Sequence, residues 1–144
     1  MGVVVFGNQS QQLQDLIPFR VYPLPYIKNE HELVDIYNAV DLFVIPSLEE
    51  NLPNMVMEAM SCGVPCVGFN TGGIPEMIDH LHNGYVAQRK SSEDLANGIH
   101  WVLTEPEYAE LSAQACRKAV GNYSESIIAK KYTDVYNKIT GKYA

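Results

Sequence analysis

The sequence predicts a three-layer α/β/α fold with a parallel sheet. Short apolar runs alternate with segments of helical periodicity through the first two thirds of the chain, and the last third is helical in pattern throughout. Two of the runs, residues 42–45 and 64–67, are apolar without alternation, as expected of strands that helices cover on both faces. With 144 residues, the chain is long enough for a single domain, residues 1–144, with its own core.

Five short segments are predicted to be strands, because they are apolar and bounded by turn-forming residues. They cover residues 3–6, 20–22, 42–45, 65–69 and 85–87. Between the second and third, residues 30–39 place apolar side chains at helical spacing, which predicts a crossover helix. A further helix is indicated by Leu52, Met55, Val56, Ala59 and Met60, with Gly63 ending it.

After the turn signal Asn83-Gly84 the pattern becomes helical, over residues 92–103, 106–119 and 124–139. The last of these helices has a wide apolar stripe formed by Ile127, Ile128, Tyr132, Val135, Tyr136 and Ile139. Such a stripe on a terminal helix predicts either a packing partner or self-association.

Composition excludes several classes of protein. Ten Lys and Arg stand against seventeen Asp and Glu, a net charge of −7, which argues against nucleic-acid binding. Basic residues are scarcest in residues 1–106, which hold only Arg20, Lys28, Arg89 and Lys90. No apolar run approaches the roughly 18 residues of a membrane helix. The three cysteines predict unpaired, mostly buried thiols in a reducing compartment. We therefore expect a cytoplasmic chain.

Residues 47–54 form the strongest candidate site, because this loop runs from a strand end into a helix N-terminus, where open α/β sheets bind ligands. The unpaired amides of the first helical turn favour phosphate, Pro53 suits that turn, and Asn51 or Asn54 can cap the helix or contact a ligand. Glu50 and Glu58 flank the turn, and eight residues of helix span about 12 Å. A sugar nucleotide, with hydroxyls at both ends and phosphates between, fits this arrangement. From spacing alone, two unrelated surface glutamates, one on a loop and one on a helix, are the better explanation.

Other patterns leave two readings open. Thr71-Gly72-Gly73 is a turn whose glycines serve either the backbone or a ligand, and Tyr26 after the second strand either stacks on a base or packs. Asp79-His80-x-His82 is better explained as a polar loop than as a metal site, since further ligands are needed. Neither the dinucleotide nor the P-loop glycine motif occurs.

The complete motif from Ser47 to Glu76 is more specific than any of its parts alone. It reads Ser47-x-x-Glu50, then Glu58-Ala59-Met60-x-Cys62-Gly63-x-Pro65-x-Val67, then Thr71-Gly72-Gly73-Ile74-Pro75-Glu76. This run resembles the C-terminal half of retaining GT-B glycosyltransferases of family four, whose donor-binding domain is Rossmann-like, and the resemblance extends over nearly the whole chain. It departs at the turn after Glu50, where the family often has Gly-Phe-Gly and this chain has Asn51-Leu52-Pro53.

The resemblance implies a role for each matching residue. Glu50 is the implied catalytic residue, beside the donor hexose, and Glu58 binds the ribose hydroxyls. The backbone of Asn51, Leu52, Pro53 and Asn54 meets the diphosphate, Gly72 and Gly73 line the donor, and Tyr26 and Ile27 hold the base. The implied donor is a UDP- or GDP-sugar, with no cofactor and no metal.

The resemblance also implies missing parts. The arginine and lysine that hold the diphosphate in the family precede the position of Gly2, and the acceptor-binding N-terminal domain is absent. We therefore expect a chain truncated at its N-terminus, inactive alone, whose terminal helix packs on the missing domain or self-associates. The parent enzyme is expected to build a polysaccharide or glycolipid, peripherally at the inner membrane face.

Two alternatives remain besides the transferase. One is a nucleotide-sugar binding domain without catalysis, and the other is a GT-B epimerase that needs no acceptor. Titration with UDP and GDP, together with product analysis in the absence of acceptor, distinguishes the three.

Overall fold

The chain divides into two units, residues 1–40 and residues 41–144. The computed structural model describes residues 1–6 and 16–141. The strands are β1 (Gly2–Phe6), β2 (Arg20–Leu24), β3 (Phe43–Ile45), β4 (Cys66–Phe69) and β5 (Gly84–Ala87). The helices are α1 (Glu30–Asn38), α2 (Asn54–Ser61), α3 (Ile74–Met77), α4 (Ser92–Thr104), α5 (Tyr108–Tyr123) and α6 (Glu125–Thr140).

The first unit pairs β1 with β2 in parallel, Val3 lying opposite Val21. Helix α1 follows, and its N-terminus is capped by Asn29, whose side-chain oxygen accepts a hydrogen bond from the His31 amide at 3.0 Å. Tyr37 of α1 is buried, and its ring meets that of Phe6 edge-on at 6.3 Å. These apolar contacts hold the helix to the strands.

The second unit is built on a parallel sheet with the strand order β3-β4-β5. All four residues of β4 are buried, as its unbroken apolar sequence predicts for a central strand. Val67 of β4 joins Val102 and Leu111 in a buried cluster. Partly buried side chains complete this cluster, namely Leu42, Tyr85, Leu95, Ile99, Trp101 and Tyr108.

Helix α2 ends where the sequence predicts. Gly63 has φ of +74°, a left-handed conformation that glycine adopts without steric cost. Its amide donates to the Met60 carbonyl oxygen at 2.9 Å, and a Cβ at this position would lie 2.8 Å from the Ser112 hydroxyl of α5. The end of α2 is therefore fixed against α5.

Helix α6 differs from the others because none of its residues is buried. The exposed fractions of Tyr132, Tyr136 and Ile139 are 63%, 63% and 77%, whereas Ile127 and Ile128 are half-buried. The C-terminal part of the predicted apolar stripe therefore faces solvent. Within residues 1–6 and 16–141, no helix combines the length and the apolar character that crossing a membrane requires.

The predicted fold class is confirmed, since every strand pair is parallel and helices flank the strands. The strands hydrogen-bond as one pair and one group of three. Each predicted strand and helix is present, and the largest displacement is at α5, which runs from Tyr108 to Tyr123 instead of over residues 106–119. Element ends are the least determined part of a periodic pattern.

Candidate functional site

Three segments meet at one edge of the sheet in the second unit. Because β3, β4 and β5 are parallel neighbours, with Ile45 opposite Gly68 and Gly68 opposite Val86, the segments that follow them leave the sheet on the same side. These segments are the loop at residues 46–53, the turn at residues 70–73 and residues 88–91. The carboxyl edge of such a sheet is where α/β proteins bind ligands.

Two hydrogen bonds join the turn at residues 70–73 to the loop at residues 46–53. The amide of Gly73 donates to the carbonyl oxygen of Asn51 at 2.5 Å, and the Thr71 hydroxyl donates to the carbonyl oxygen of Leu48 at 3.1 Å. The loop around Glu50 and the turn Thr71-Gly72-Gly73, which are distant in the sequence, are thus in direct contact in the structure.

Gly72 explains why the turn contains glycine. Its φ is +52°, a region that residues with a Cβ rarely adopt. A Cβ here would also lie 1.7 Å from the carbonyl oxygen of Glu50, and one on Gly73 would lie 2.4 Å from that of Asn51. Both glycines are therefore required by the close approach of the loop, whatever they also do for a ligand.

Helix α2 starts later than the sequence analysis assumed. Pro53 is the N-cap residue, with φ −72° and ψ 116°, and helical geometry begins at Asn54. The estimate of about 12 Å of helix between Glu50 and Glu58 is therefore wrong. Only the steps from Asn54 to Glu58 are helical, a rise of about 6 Å, because Pro53 is itself extended, with ψ 116°, and a proline disfavours helical geometry at the residue before it.

The N-terminus of α2 is open to a ligand. Within the described residues, no side chain caps it, although the sequence suggested that Asn51 or Asn54 would do so. Asn51, Leu52 and Asn54 are exposed, whereas Pro53 is buried. The Val56 amide donates to the Pro53 carbonyl oxygen at 3.1 Å, so the donors left at this terminus are the amides of Asn54 and Met55 ahead of it. Together with the partial positive charge of the helix end, they favour an anion.

The two glutamates flank that terminus in the sequence, Glu50 four residues before Asn54 and Glu58 four residues after it. Glu50 and Glu58 are both half-buried, Glu50 in the loop and Glu58 in α2. The negative charge of Glu58 acts on the Cys62 thiol, whose pKa is raised mainly by burial, then by Cys116 and by Glu58. Glu58 thus lies along the helix side that continues to Cys62.

Tyr26 and Ile27, which were predicted to hold the base, belong to the first unit, residues 1–40. Tyr26 is 66% exposed and Ile27 is half-buried. An exposed ring of this kind is available for stacking, so both residues stay predictions.

Arg89, which is not among the residues predicted from the sequence, lies just after β5. Its Nε and Nη2 atoms donate to the carbonyl oxygen of Leu48 at 3.1 and 3.0 Å, and Nη2 lies 4.0 Å from a carboxylate oxygen of Glu49. The scarcity of basic residues in residues 1–106 predicts almost no positive charge around the glutamates, and this arginine corrects that prediction. Its position directly after a strand end is the signal in the sequence that points to it.

Asp94 fixes the segment that carries Arg89. Its carboxylate accepts hydrogen bonds from the Gln88 amide at 2.6 Å and from the Tyr85 hydroxyl at 2.8 Å. These two bonds, first the one from Gln88, lower the pKa of Asp94 below its ordinary value of 3.8. The backbone immediately before Arg89 is therefore held to the N-terminus of α4.

Two of the three residues considered for a metal, Asp79 and His80, have hydrogen-bond partners in the structure. Asp79 accepts hydrogen bonds from Lys118 and from the side-chain amide of Asn83. His80 accepts a hydrogen bond from the Val86 amide at 3.1 Å through Nδ1. These contacts agree with the interpretation of residues 79–82 as a polar loop.

Comparison with known proteins assigns the family. The model of the family described as glycosyl transferases group 1 matches residues 3–119. An N-acetylgalactosaminyltransferase of Campylobacter jejuni, acting on N,N'-diacetylbacillosaminyl-diphospho-undecaprenol, is 30% identical over 115 residues, which is 79% of this chain and 30% of the relative. A D-inositol 3-phosphate glycosyltransferase of Rhodococcus erythropolis is 33% identical over 112 residues, 77% of this chain and 25% of the relative.

A solved structure shows the same fold. HepE of Anabaena, in complex with UDP and glucose, superposes with a TM-score of 0.78 at 23% identity, over 94% of this chain and 40% of HepE. The chain thus spans about a third of the curated relatives it matches and two fifths of this structural neighbour. With more than half of its residues matched by the family model, this chain belongs to the glycosyl transferases group 1 family.

Proposed function

We propose that the chain is the donor-binding part of a retaining glycosyltransferase. The complete enzyme transfers a hexose from a UDP- or GDP-sugar to a glycan or glycolipid acceptor. The observation that carries this proposal is the meeting of the 46–53 loop, the Thr71-Gly72-Gly73 turn and Arg89 around the open N-terminus of α2. Glu50 precedes this terminus in the sequence and Glu58 follows it, and the UDP and glucose bound by HepE have the chemistry that such a site suits.

In this proposal the diphosphate occupies the N-terminus of α2. Backbone amides near residues 51–54 donate to its oxygens, except at Pro53, which has no N–H. A leaving diphosphate gains negative charge as the bond from the anomeric carbon to its oxygen breaks, so donors fixed in place beforehand lower the barrier. The family resemblance also implies an arginine and a lysine, which supply most of the compensating charge.

The two carboxylates hold the sugar ends of the donor. Glu58 accepts hydrogen bonds from the ribose hydroxyls, since vicinal hydroxyls donate well to an ionised carboxylate. Glu50 does the same for the hexose near the reacting carbon, where its negative charge also stabilises the positive charge that develops on the sugar ring. Gly72 and Gly73 line the donor. No metal ion takes part.

We propose that acceptor binding belongs to the remainder of the protein. The chain covers only 25% to 30% of the curated relatives described above, which leaves room there for an acceptor domain. The exposed apolar stripe of α6, with Val135 and Ile139 52% and 77% exposed, is the surface that packs against that domain. In the isolated chain the same stripe is available for self-association.

The test compares the complete protein with the 144-residue chain. Each is supplied with UDP-hexoses and GDP-hexoses, and NMR follows the anomer of hexose released by slow hydrolysis. We expect release of UDP or GDP by the complete protein only, with the donor's anomeric configuration kept. An inverted product would contradict retention, an epimerised donor would contradict transfer, and turnover by the 144-residue chain would contradict the division of roles.

A further inference from the structure

The carbonyl oxygen of Leu48 accepts three hydrogen bonds from side chains distant in sequence. One comes from the Thr71 hydroxyl at 3.1 Å, and two come from Nε and Nη2 of Arg89 at 3.1 and 3.0 Å. The guanidinium therefore holds one oxygen between two of its N–H groups. This geometry fixes direction as well as distance, which a lysine ammonium does not do.

Burial of side chains contributes little to holding the loop in place near Leu48. The side chain of Leu48 is 45% exposed, and Pro46 and Glu49 are exposed, so apolar burial does not anchor residues 46–49. The next backbone anchor is the bond from the Gly73 amide to the Asn51 carbonyl oxygen. Glu50 lies between the two anchors, and its position follows from both.

The backbone just before Arg89 is itself fixed by hydrogen bonds. The Gln88 amide is bound by Asp94 at 2.6 Å, and the Ser91 hydroxyl accepts a hydrogen bond from the Asp94 amide at 3.1 Å. The order of contacts thus runs from the N-terminus of α4, through Asp94 and Gln88, to Arg89 and then to Leu48. The ion pair between Arg89 and Glu49, at 4.0 Å with the Glu49 side chain 92% exposed, adds little in water.

We propose that Arg89 is a positioning residue for Glu50, acting through the Leu48 carbonyl. The inference rests on the proposed function, because it takes Glu50 to be the residue beside the donor hexose. It predicts that loss of the guanidinium loosens residues 46–50 and lowers turnover without a matching change in donor affinity, since Arg89 acts on the loop and not on the nucleotide.

The first test is hydrogen exchange of the complete protein, followed by mass spectrometry on peptides covering residues 46–52. Arg89→Gln is expected to speed exchange in these peptides by about tenfold, and Lys90→Gln, the neighbouring basic residue, is expected to leave it unchanged. Because the Arg89 side chain is 46% exposed, its replacement opens no core. Equal exchange in the two variants would overturn the proposal.

The second test measures turnover with the donor sugar on which the complete protein is active. Arg89→Gln should lower kcat by about ten- to a hundredfold with KM changed by less than about threefold, as expected for a misplaced catalytic group. In a Glu50→Gln background the same change should cost less than about twofold, because the group it positions is gone. An undiminished effect in that background would overturn the role through Glu50.

A third variant separates geometry from charge. Arg89→Lys keeps the charge but loses the two-donor arrangement, and we expect its kcat to fall as in Arg89→Gln. Full activity of Arg89→Lys would show that charge alone matters and would overturn the positioning role. If exchange responds as expected but the complete protein turns over no donor, the proposed function fails while the anchoring of the loop stands. If the wild type is active and Arg89→Gln matches Lys90→Gln, only the positioning claim fails.

Discussion

Gly72 approaches the carbonyl group of Glu50 so closely that a Cβ on it would lie 1.7 Å from the carbonyl oxygen. This contact joins the turn after β4 to the loop after β3, and the backbone of the proposed catalytic residue lies within it. A side chain at position 72 is excluded both by this contact and by the positive φ of 52°.

We therefore expect Gly72→Ala to be strongly damaging. The new methyl group forces the loop at Glu50 to move, and the left-handed conformation adds strain, so the free energy of unfolding should fall by about 2 kcal/mol or more. Urea unfolding with an unchanged m value measures this loss, and nucleotide affinity should fall with it.

Gly121→Ala is the matched control for this substitution. Gly121 lies in α5, and a Cβ there would meet nothing within 4 Å, so alanine should stabilise the chain by about 0.5 kcal/mol or leave it unchanged. If the two variants unfold at the same urea concentration and bind nucleotide equally, the proposed packing of the turn on the loop is wrong.

The pH dependence of stability should report on Asp94. Its pKa is lowered in the folded chain, first by the Gln88 amide and next by the Tyr85 hydroxyl, so folding favours the ionised carboxylate. This contribution is complete above the unfolded pKa, near the ordinary 3.8, and it is lost as the pH falls through the folded-state pKa. The unfolding free energy should decline over that acidic range.

Asp94→Asn should remove part of that decline. Asparagine has one acceptor oxygen where the carboxylate uses two, so we expect a loss of about 1 kcal/mol at pH 7 and a shallower slope below pH 4. Denaturant unfolding across this pH range gives both values. Glu93→Gln removes the same charge from the exposed neighbouring residue and should change neither. An identical slope for wild type and Asp94→Asn would contradict the assignment.

Thiol reactivity should separate the three cysteines. All are free, but only Cys66 is buried, while Cys62 and Cys116 are half-buried, so the expected unpaired thiols are less buried than the composition suggested. Burial raises the pKa of the Cys66 thiol far above its ordinary value. At pH 8 a maleimide should therefore modify Cys116 and Cys62 in the native chain, and Cys66 only in denaturant.

Peptide mass spectrometry identifies the modified residue in each case. Cys62 should react more slowly than its exposure alone predicts, because burial, Cys116 and Glu58 together raise its pKa. Modification of Cys66 in the native chain at the rate of Cys116 would show that α2 and β4 open readily, contrary to the packing described here.

The sequence pattern was enough to predict which segments form strands and helices. Burial of β4 on both faces and the left-handed Gly63 at the end of α2 are local consequences of residue type, and each was predicted. The loop, the turn and both glutamates were also identified from the sequence, because the resemblance to the family rests on a long motif and not on single residues.

Contacts between distant segments were not predictable in the same way. The bond from Arg89 to the Leu48 carbonyl joins positions 41 residues apart, and nothing in the local pattern of either segment indicates it. The start of α2 was misjudged for a related reason, since a proline near a helix start is compatible with both the N-cap and the first helical position. Three-dimensional packing decided between them.

The measurement that tests the central claim most directly is the affinity of the complete protein for UDP and GDP by titration calorimetry, in the wild type and in Glu58→Ala. Glu93→Ala, which removes an exposed glutamate of α4, is the control. We predict that one nucleotide binds, that Glu58→Ala weakens it by about tenfold or more through loss of the ribose contact, and that Glu93→Ala stays within about twofold of the wild type. Equal affinity of Glu58→Ala and Glu93→Ala would contradict the donor site proposed here.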